Sequence, residues 1–129
     1  MRAEELKGHL DAVLLAALEG GPRHGYAVIE ALRQSTDGRL DLPTGTIYPA
    51  LRRLEQAGLI AGTWSVVNGR RRREYQLTPA GVRALSGRRA AWRDFSATVT
   101  AALESATRVN TALENAALED TACPSPNPA

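Results

Sequence analysis

The sequence has few of the residues that metal centres and disulfide-bonded proteins use. Its 129 residues contain one cysteine, Cys123, and neither a CxxC nor an HExxH spacing, so no internal disulfide or common zinc motif is available. No apolar run approaches the roughly 20 residues that cross a bilayer, and the first residues lack the pattern of a signal peptide. We therefore expect a cytoplasmic protein without a metal, a cofactor or a membrane segment.

Aromatic residues and strand-forming residues are also scarce. The chain has only two Trp, three Tyr and one Phe, and its β-branched residues fall mainly in one stretch, whereas alanine is abundant. This composition favours helices with one small β element. A chain of this length fits one domain with a short extension, which excludes a second, catalytic domain.

The basic residues are concentrated in the middle of the chain. The net formal charge is only +2, yet residues 1–22 carry −2, residues 23–93 carry +8 and residues 94–129 carry −4. A concentrated basic segment is one footprint of a protein that binds a polyanion. A charged face in contact with solvent explains the same distribution, so the charge alone leaves both interpretations open.

Apolar spacing predicts two short helices in the first third of the chain. The first runs from about Glu5 to Glu19, where a Gly-Gly-Pro sequence ends it. The second runs from His24 to Gln34, and a polar loop over Ser35–Leu42 follows. We interpret His24 as a residue at the start of this helix rather than as a catalytic base.

A third helix is predicted after the sequence PTGTIYP. Thr46 is the expected N-cap, because this places Pro49 in the first turn, where the missing N–H would have no partner. Gly58 is the expected C-terminal cap. Apolar residues Ile47, Leu51 and Leu54 then face the core, and the outward face carries Tyr48, Pro49, Arg52, Arg53 and Gln56.

Two β-like runs over Leu59–Val67 and Arg70–Thr78 are joined by Asn-Gly, the strongest short signal for a type I′ hairpin. In that register Val67 pairs with Arg70 and Trp64 pairs with Arg73. Four consecutive arginines therefore lie at or just after the tip of the hairpin. They are Arg70, Arg71, Arg72 and Arg73.

Thr78-Pro79 begins a helix that nothing interrupts until about Glu119, and the Pro-rich end of the chain is expected to be disordered. Apolar residues recur every seven positions in this helix, with a second set three residues later, which is the pattern of a coiled-coil seam. The seam predicts a second chain. Its members are Leu85, Trp92, Phe95, Val99, Ala102, Ala106, Val109, Leu113 and Ala116.

The order of three helices, a two-stranded hairpin with a basic tip and a further helix is typical of a winged helix-turn-helix. The predicted fold is thus mostly α with a small two-stranded β wing and a long C-terminal dimerisation helix. We assign residues 1–78 to the winged helix-turn-helix, 79–119 to the dimerisation helix and 120–129 to the disordered tail. In this fold the third helix enters the major groove, with Arg52 and Arg53 among its expected DNA contacts, and the arginine tip reaches nearby phosphates.

Four segments also resemble the PadR family of bacterial transcriptional regulators: HGYAVIEAL, GTIYPALRRLEQAGLI, REYQLTPAG and WRDF. The short chain after Thr78 resembles the subgroup with a single C-terminal helix. The resemblance implies that Thr44, Thr46, Tyr48 and Arg52 belong to the recognition helix. It also implies that the last helix forms the dimer and packs against the first helix, to which Leu10 belongs, and that an effector pocket lies near Trp92 and Phe95.

These observations predict a homodimeric repressor of a two-fold symmetric operator that a small aromatic effector releases. Double-stranded DNA is the expected partner, and no catalytic constellation supports an enzyme. Several alternatives stay open. The basic face could meet an acidic protein, Tyr48 could pack against the fold, Arg52 or Arg53 could pair with Glu55 or Glu30, and Trp92 could fill the dimer seam without binding a ligand.

Overall fold

The computed structural model describes the backbone of residues 3–6 and 8–122 and the side chains of residues 5–6, 8–105 and 113–115. The chain divides into two compact units, Met1–Arg89 and Ala90–Ala129. Most of the predicted disordered tail lies outside the described residues. In chain order the elements are a 3-10 helix (Ala3–Leu6), α1 (Leu10–Ala17), β1 (Arg23–His24), α2 (Gly25–Ser35), α3 (Thr44–Gln56), β2 (Ile60–Val67), β3 (Arg70–Leu77) and α4 (Pro79–Ala122).

The first helix is shorter than its apolar spacing suggested. Gly8 has a φ of +87°, a left-handed conformation that a right-handed helix cannot contain, and it separates the 3-10 helix from α1. Helix α1 ends at Ala17, with Leu18 as its C-cap residue. The prediction of one helix from Glu5 to Glu19 was therefore wrong, because apolar spacing does not register a single left-handed glycine.

His24 belongs to a strand that the sequence did not predict. Arg23 and His24 form β1, which pairs antiparallel with Tyr75 and Glu74 of β3. His24 is also the N-cap residue of α2, and its Nδ1 accepts a hydrogen bond from the Ala27 N–H at 3.3 Å. The sheet thus has three strands in the order β1-β3-β2 rather than the predicted two. A strand of two residues is too short to show an alternating pattern.

Helix α3 begins earlier than its proline suggested. Pro43 is the N-cap residue, and its carbonyl accepts hydrogen bonds from the N–H groups of Thr46 and Ile47. The prediction of Thr46 as N-cap was therefore wrong. Pro49 lies inside the helix and cannot donate to the carbonyl of Gly45. Pro49 is exposed, so the unpaired carbonyl and the proline ring lie on the outer side of the helix rather than in the core.

The end of α3 follows the prediction that Gly58 closes it. Gly58 has a φ of +77°. Its N–H donates to the Glu55 carbonyl at 3.0 Å, and the Leu59 N–H donates to the Leu54 carbonyl at 3.1 Å. These two bonds form a Schellman motif, in which glycine best supplies the left-handed residue.

The hairpin register predicted from Asn-Gly is confirmed. Asn68 and Gly69 have φ angles of +53° and +76°, as a type I′ turn requires. Trp64 pairs with Arg73, and the pairing continues in register to the turn. The base of the hairpin packs on the core through Ile60 and Tyr75, and the four arginines lie between this base and the turn.

The first unit has one hydrophobic core, to which the three short helices, the base of the hairpin and the start of α4 contribute. The predicted inward face of α3 is confirmed, since Ile47, Leu51 and Leu54 are at most 1% exposed. The largest fully buried side chains are Leu14, Leu15, Leu18, Val28, Ile47, Leu51, Leu54 and Ile60.

Helix α4 begins at the predicted cap. The Thr78 hydroxyl accepts a hydrogen bond from the Gly81 N–H at 3.0 Å. Glycine is required at position 81, because a Cβ there would lie 1.9 Å from the carbonyl oxygen of Leu59. The helix continues to Ala122, slightly beyond its predicted end.

Candidate nucleic-acid interface

Helix α3 carries a polar face opposite its buried residues. Every residue of α3 that was predicted to point outward is exposed to solvent, because the helix is amphipathic. Thr46 is partly buried. This face therefore offers hydroxyl, phenol, guanidinium and amide groups on one rigid element. Its exposed members are Thr44, Tyr48, Pro49, Arg52, Arg53 and Gln56.

Tyr48 is held against the start of α2 as well as being exposed. Its side chain is 45% exposed. A Cβ added at Gly25 would lie 2.5 Å from the Tyr48 Cε1 atom, so the ring rests directly on the glycine backbone. Tyr48 therefore combines the packing and the surface roles between which the sequence could not choose.

The two neighbouring arginines of α3 have different surroundings. An Arg53 guanidinium nitrogen lies 2.6 Å from an Asp11 carboxylate oxygen in α1. The Arg52 side chain makes no hydrogen bond or ion pair with residues 5–6, 8–105 and 113–115, whose side chains the structure describes. The carboxylates of Glu55 and Glu30, which the sequence offered as partners, each pair with a different arginine. Of the two, Arg52 is the cation available to a ligand.

The four hairpin arginines are divided between the two faces of the strand, and two of them flank Trp64. The Arg71 and Arg73 guanidinium carbons lie 4.6 and 5.3 Å from the centroid of the Trp64 ring, within the range of cation–π contact. Trp64 is 58% exposed. Its packing partners are thus arginines of its own hairpin rather than the core.

The other two arginines of the run are directed to the opposite face. The Arg72 Nη1 atom lies 3.1 Å from the His24 Nε2 atom, which joins the hairpin to the start of α2. Arg70, next to the turn, is exposed and makes no ion pair within the part of the chain that the structure describes. His24 is therefore occupied by a helix cap and a hairpin contact, in keeping with its predicted structural role.

Glu55 is a residue whose role the sequence did not reveal. Its Oε2 atom accepts a hydrogen bond from the Gly62 N–H at 3.1 Å and forms an ion pair with Arg73. The ion pair joins residues 18 positions apart, a separation that no local pattern indicates. One carboxylate of α3 thus contacts both strands of the hairpin.

A cavity of about 680 Å³ lies where α3, the start of α2 and the hairpin meet. Aromatic rings and guanidinium groups line it, so its chemistry suits an anion or a planar ring. The lining residues are His24, Gly25, Tyr26, Tyr48, Trp64, Arg71, Arg72, Arg73 and Tyr75.

Tyr75 is the buried aromatic residue of this lining. It is 7% exposed. Burial, and secondly the nearby Glu55 carboxylate, raise the pKa of Tyr75 above its ordinary value of 10.0. The phenol therefore keeps its proton at neutral pH and presents a neutral wall to the cavity.

The predicted dimer residues differ in burial. Leu85 is 2% exposed and belongs to the core of the first unit, which corrects its assignment to the seam. Leu10 also packs partly against this core. The side chains of Ala106, Val109 and Ala116 lie outside the described residues. Exposed large apolar residues of α4 beyond Leu85 are Trp92, Phe95, Val99, Leu103 and Leu113.

Trp92 and Phe95, the expected effector residues, are neighbours on α4. Their ring centroids are 6.0 Å apart with an interplanar angle of 34°. Both side chains are about half exposed. The two rings therefore form a small aromatic surface within the second unit.

An ion pair joins the start of α4 to the segment after α1. The Arg89 Nη1 and Nη2 atoms donate to the two Glu19 carboxylate oxygens, at 2.6 and 2.8 Å. The hydrogen bond from Arg89 lowers the pKa of Glu19 below its ordinary value of 4.5. This bidentate pair accompanies the packing of Leu85 in the core.

The described residues contain no cluster of three or more His, Cys, Asp or Glu side chains that could hold a metal ion. Among the same residues, no helix has the length and apolar character needed to cross a membrane.

The chain matches a known protein family over more than half of its length. The model of the transcriptional regulator PadR-like family matches residues 14–87, more than half of the chain. The chain belongs to the PadR family. It is therefore a DNA-binding transcriptional regulator rather than an enzyme, and the matched residues include α2, α3 and the hairpin.

Solved structures and a curated relative agree with this PadR assignment. A transcriptional regulator from Clostridium thermocellum has a TM-score of 0.70 and 26% identity, over 76% of this chain and 96% of that one. A PadR family regulator from Eggerthella lenta has a TM-score of 0.68 and 32% identity, over 78% and 87%. Transcriptional regulator Rv3488 of Mycobacterium tuberculosis is 40% identical over 74 residues, which span 57% of this chain and 56% of the relative.

Proposed function

We propose that this PadR protein is a homodimeric repressor that binds a two-fold symmetric operator and releases it when a small aromatic effector binds. The observation that carries the proposal is the cavity shared by α3 and the hairpin. Tyr48 of α3 and three hairpin arginines line the same space. A helix that reads the major groove and a hairpin that binds phosphates must contact the same stretch of DNA. The shared cavity supports the proposal because it brings α3 and the hairpin together on one surface.

In the proposal, α3 reads base edges in the major groove. Arg52 is suited to the paired acceptors of guanine, because its guanidinium is exposed and no carboxylate of the described residues engages it. Tyr48 and Thr44 supply hydroxyl groups on the same exposed face. Thr46, which is partly buried, supports the start of the reading helix.

The hairpin supplies affinity by binding phosphates. Arg70, Arg71 and Arg72 are exposed, and none of them pairs with a carboxylate within the described residues. Arg53 and Arg73, which the sequence also predicted as DNA contacts, are each engaged by a carboxylate. Contact of these two with DNA would require the ion pairs to open, so the proposal places the phosphate contacts on the other three.

The dimer is proposed to form along α4. Trp92, Phe95, Val99 and Leu113 follow the a/d spacing and are between 38% and 64% exposed. A stripe of this kind on a long helix is buried when a second copy packs on it. Two recognition helices in such a dimer would enter successive major grooves, about 34 to 36 Å apart.

The effector is proposed to be a flat, largely apolar molecule that stacks on Trp92 and Phe95 between the protomers. Tilted rings with centroids 6.0 Å apart offer faces and edges for such stacking. A ligand that changes the separation of the recognition helices would weaken operator binding, because both helices must match the spacing of the DNA.

The division of roles between hairpin and helix can be tested by the salt dependence of binding. Replacing both Arg71 and Arg72 by Ala should weaken binding to operator and to random DNA alike. It should also lower the log-log salt slope by about 0.9 for each phosphate that is no longer neutralised. The double variant Arg83→Ala/Arg93→Ala, with the same change of charge on α4, is the matched control.

The complementary variant is Arg52→Ala. It should reduce the ratio of operator affinity to random-DNA affinity, because a base contact carries sequence information. Fluorescence anisotropy over a series of salt concentrations measures both quantities. An unchanged salt slope in the Arg71/Arg72 variant would show that these arginines do not touch phosphate.

A further inference from the structure

One carboxylate joins the proposed recognition helix to both strands of the hairpin. Glu55 lies in the last turn of α3, and its Oε2 atom accepts the Gly62 N–H of β2 at 3.1 Å. The same oxygen forms the ion pair with Arg73 of β3. Both side chains of the pair are about one-third exposed or less, so solvent screens the contact only in part.

Gly62 permits this contact by having no side chain. A Cβ at this position would lie 2.6 Å from the Glu55 Oε2 atom and 2.7 Å from the Arg73 Nε atom. Gly62 is not among the residues with positive φ, so its backbone conformation does not require glycine. The requirement is the close approach of strand, carboxylate and guanidinium.

The contact extends from the helix into the hairpin. Arg73 lies over the Trp64 ring at 5.3 Å while it is paired with Glu55. Arg71 lies over the same ring at 4.6 Å. A continuous set of contacts thus runs from the carboxylate of α3 through Arg73 and Trp64 to a proposed phosphate-binding arginine.

We propose that Glu55 is a positioning residue for sequence-specific DNA binding, because it fixes the orientation of the hairpin relative to α3. The inference rests on the proposed function. Simple electrostatics argues for the opposite effect, since a carboxylate beside the DNA-binding surface repels phosphate and neutralises Arg73. Removing Glu55 therefore distinguishes the two effects. Operator affinity falls if Glu55 positions the hairpin, and it rises if the main effect of Glu55 is to repel phosphate.

The experiment compares Glu55→Ala with the isosteric Glu55→Gln on operator and random DNA. We expect Glu55→Ala to lower operator affinity about tenfold, the order of one hydrogen bond to a charged group. Affinity for random DNA should stay constant or rise, because Arg73 is released. Glu55→Gln keeps an acceptor for the Gly62 N–H and should lose less. Tighter binding of both variants to all DNA, with a steeper salt slope, would overturn the positioning role.

A second readout needs no DNA and uses Trp64 as the reporter. The chain has two tryptophans, so in a Trp92→Phe background all tryptophan fluorescence comes from Trp64. Adding Glu55→Ala or Glu55→Gln to this background should increase acrylamide quenching, because Arg73 no longer lies over the ring. Unchanged quenching in both variants would overturn the inference, and it would do so whether or not either variant binds DNA.

The two proposals fail in different ways. A wild-type protein that does not distinguish any selected DNA site from random DNA contradicts the proposed function. A wild type that does so, with Glu55→Ala and Glu55→Gln discriminating equally well, contradicts only the positioning role. A double-mutant cycle with Arg73→Ala completes the test, since the effect of Glu55→Ala should largely vanish when Arg73 is absent.

Discussion

The substitution Gly25→Ala would displace the Tyr48 ring without changing the Tyr48 side chain itself. A Cβ at Gly25 would lie 2.5, 2.7 and 2.8 Å from the Cε1, Cζ and hydroxyl oxygen of the Tyr48 ring. Non-bonded carbon atoms prefer about 3.5 to 4.0 Å, so in Gly25→Ala the ring must retreat by about 1 Å or more. Tyr48 is 45% exposed and can turn outward into solvent.

The expected cost of Gly25→Ala is in DNA binding and not in stability. Gly25 is the first residue of α2 and does not have a positive φ, so its backbone conformation accepts alanine, and the crowded atoms belong to a Tyr48 side chain that can move into solvent. If the phenol contacts DNA, removing that hydrogen bond costs about 1 to 1.5 kcal/mol, or about five- to tenfold in operator affinity.

Fluorescence anisotropy with labelled operator and scrambled duplexes measures this decrease, and a thermal melt confirms folding. Gly87→Ala is the control, because Gly87 is exposed on α4 with open space around it. Tyr48→Phe, which deletes only the hydroxyl, should lower operator affinity by a similar factor. A folded Gly25→Ala variant with unchanged operator affinity would refute a DNA contact by Tyr48.

Three further predictions concern the dimer, the effector and the fold. Val99→Asp should give a monomer by light scattering, whereas Ala97→Asp, outside the seam, should leave a dimer; a dimeric Val99→Asp would refute the seam. Quenching by planar aromatic compounds should persist in Trp64→Phe and disappear in Trp92→Phe, and the reverse would place the ligand at the hairpin. Gly81→Ala should lower the free energy of unfolding by about 3 kcal/mol in a denaturant titration, because its Cβ meets a backbone oxygen at 1.9 Å; an unchanged midpoint would contradict this packing.

Local signals in the sequence were sufficient for much of the fold. The Asn-Gly pair determined the hairpin register, and apolar spacing identified the buried face of α3, because both depend on residues close together in the chain. The predicted start of α3 was wrong because the N-cap residue is Pro43 and not Thr46. A helix with an interior proline is uncommon enough that the local rule favoured Thr46.

The contacts that organise the candidate interface could not be predicted from local patterns. Arg53 pairs with Asp11 across 42 positions, and the Arg72–His24 contact spans 48. In the sequence these are exposed charges in unrelated segments. Only the three-dimensional fold shows which arginines are engaged within the chain and which remain available to DNA.

The central claim is that this PadR protein recognises a specific, two-fold symmetric DNA sequence through α3 and the hairpin. The most direct test is selection of genomic fragments by the purified protein, followed by affinity measurement on the enriched sequence at fixed salt. We expect an inverted repeat whose half-sites are centred about 10 base pairs apart, or a multiple of this spacing, bound at least about a thousandfold more tightly than scrambled DNA. Enrichment of no common sequence, or equal affinity for enriched and scrambled duplexes, would contradict the account.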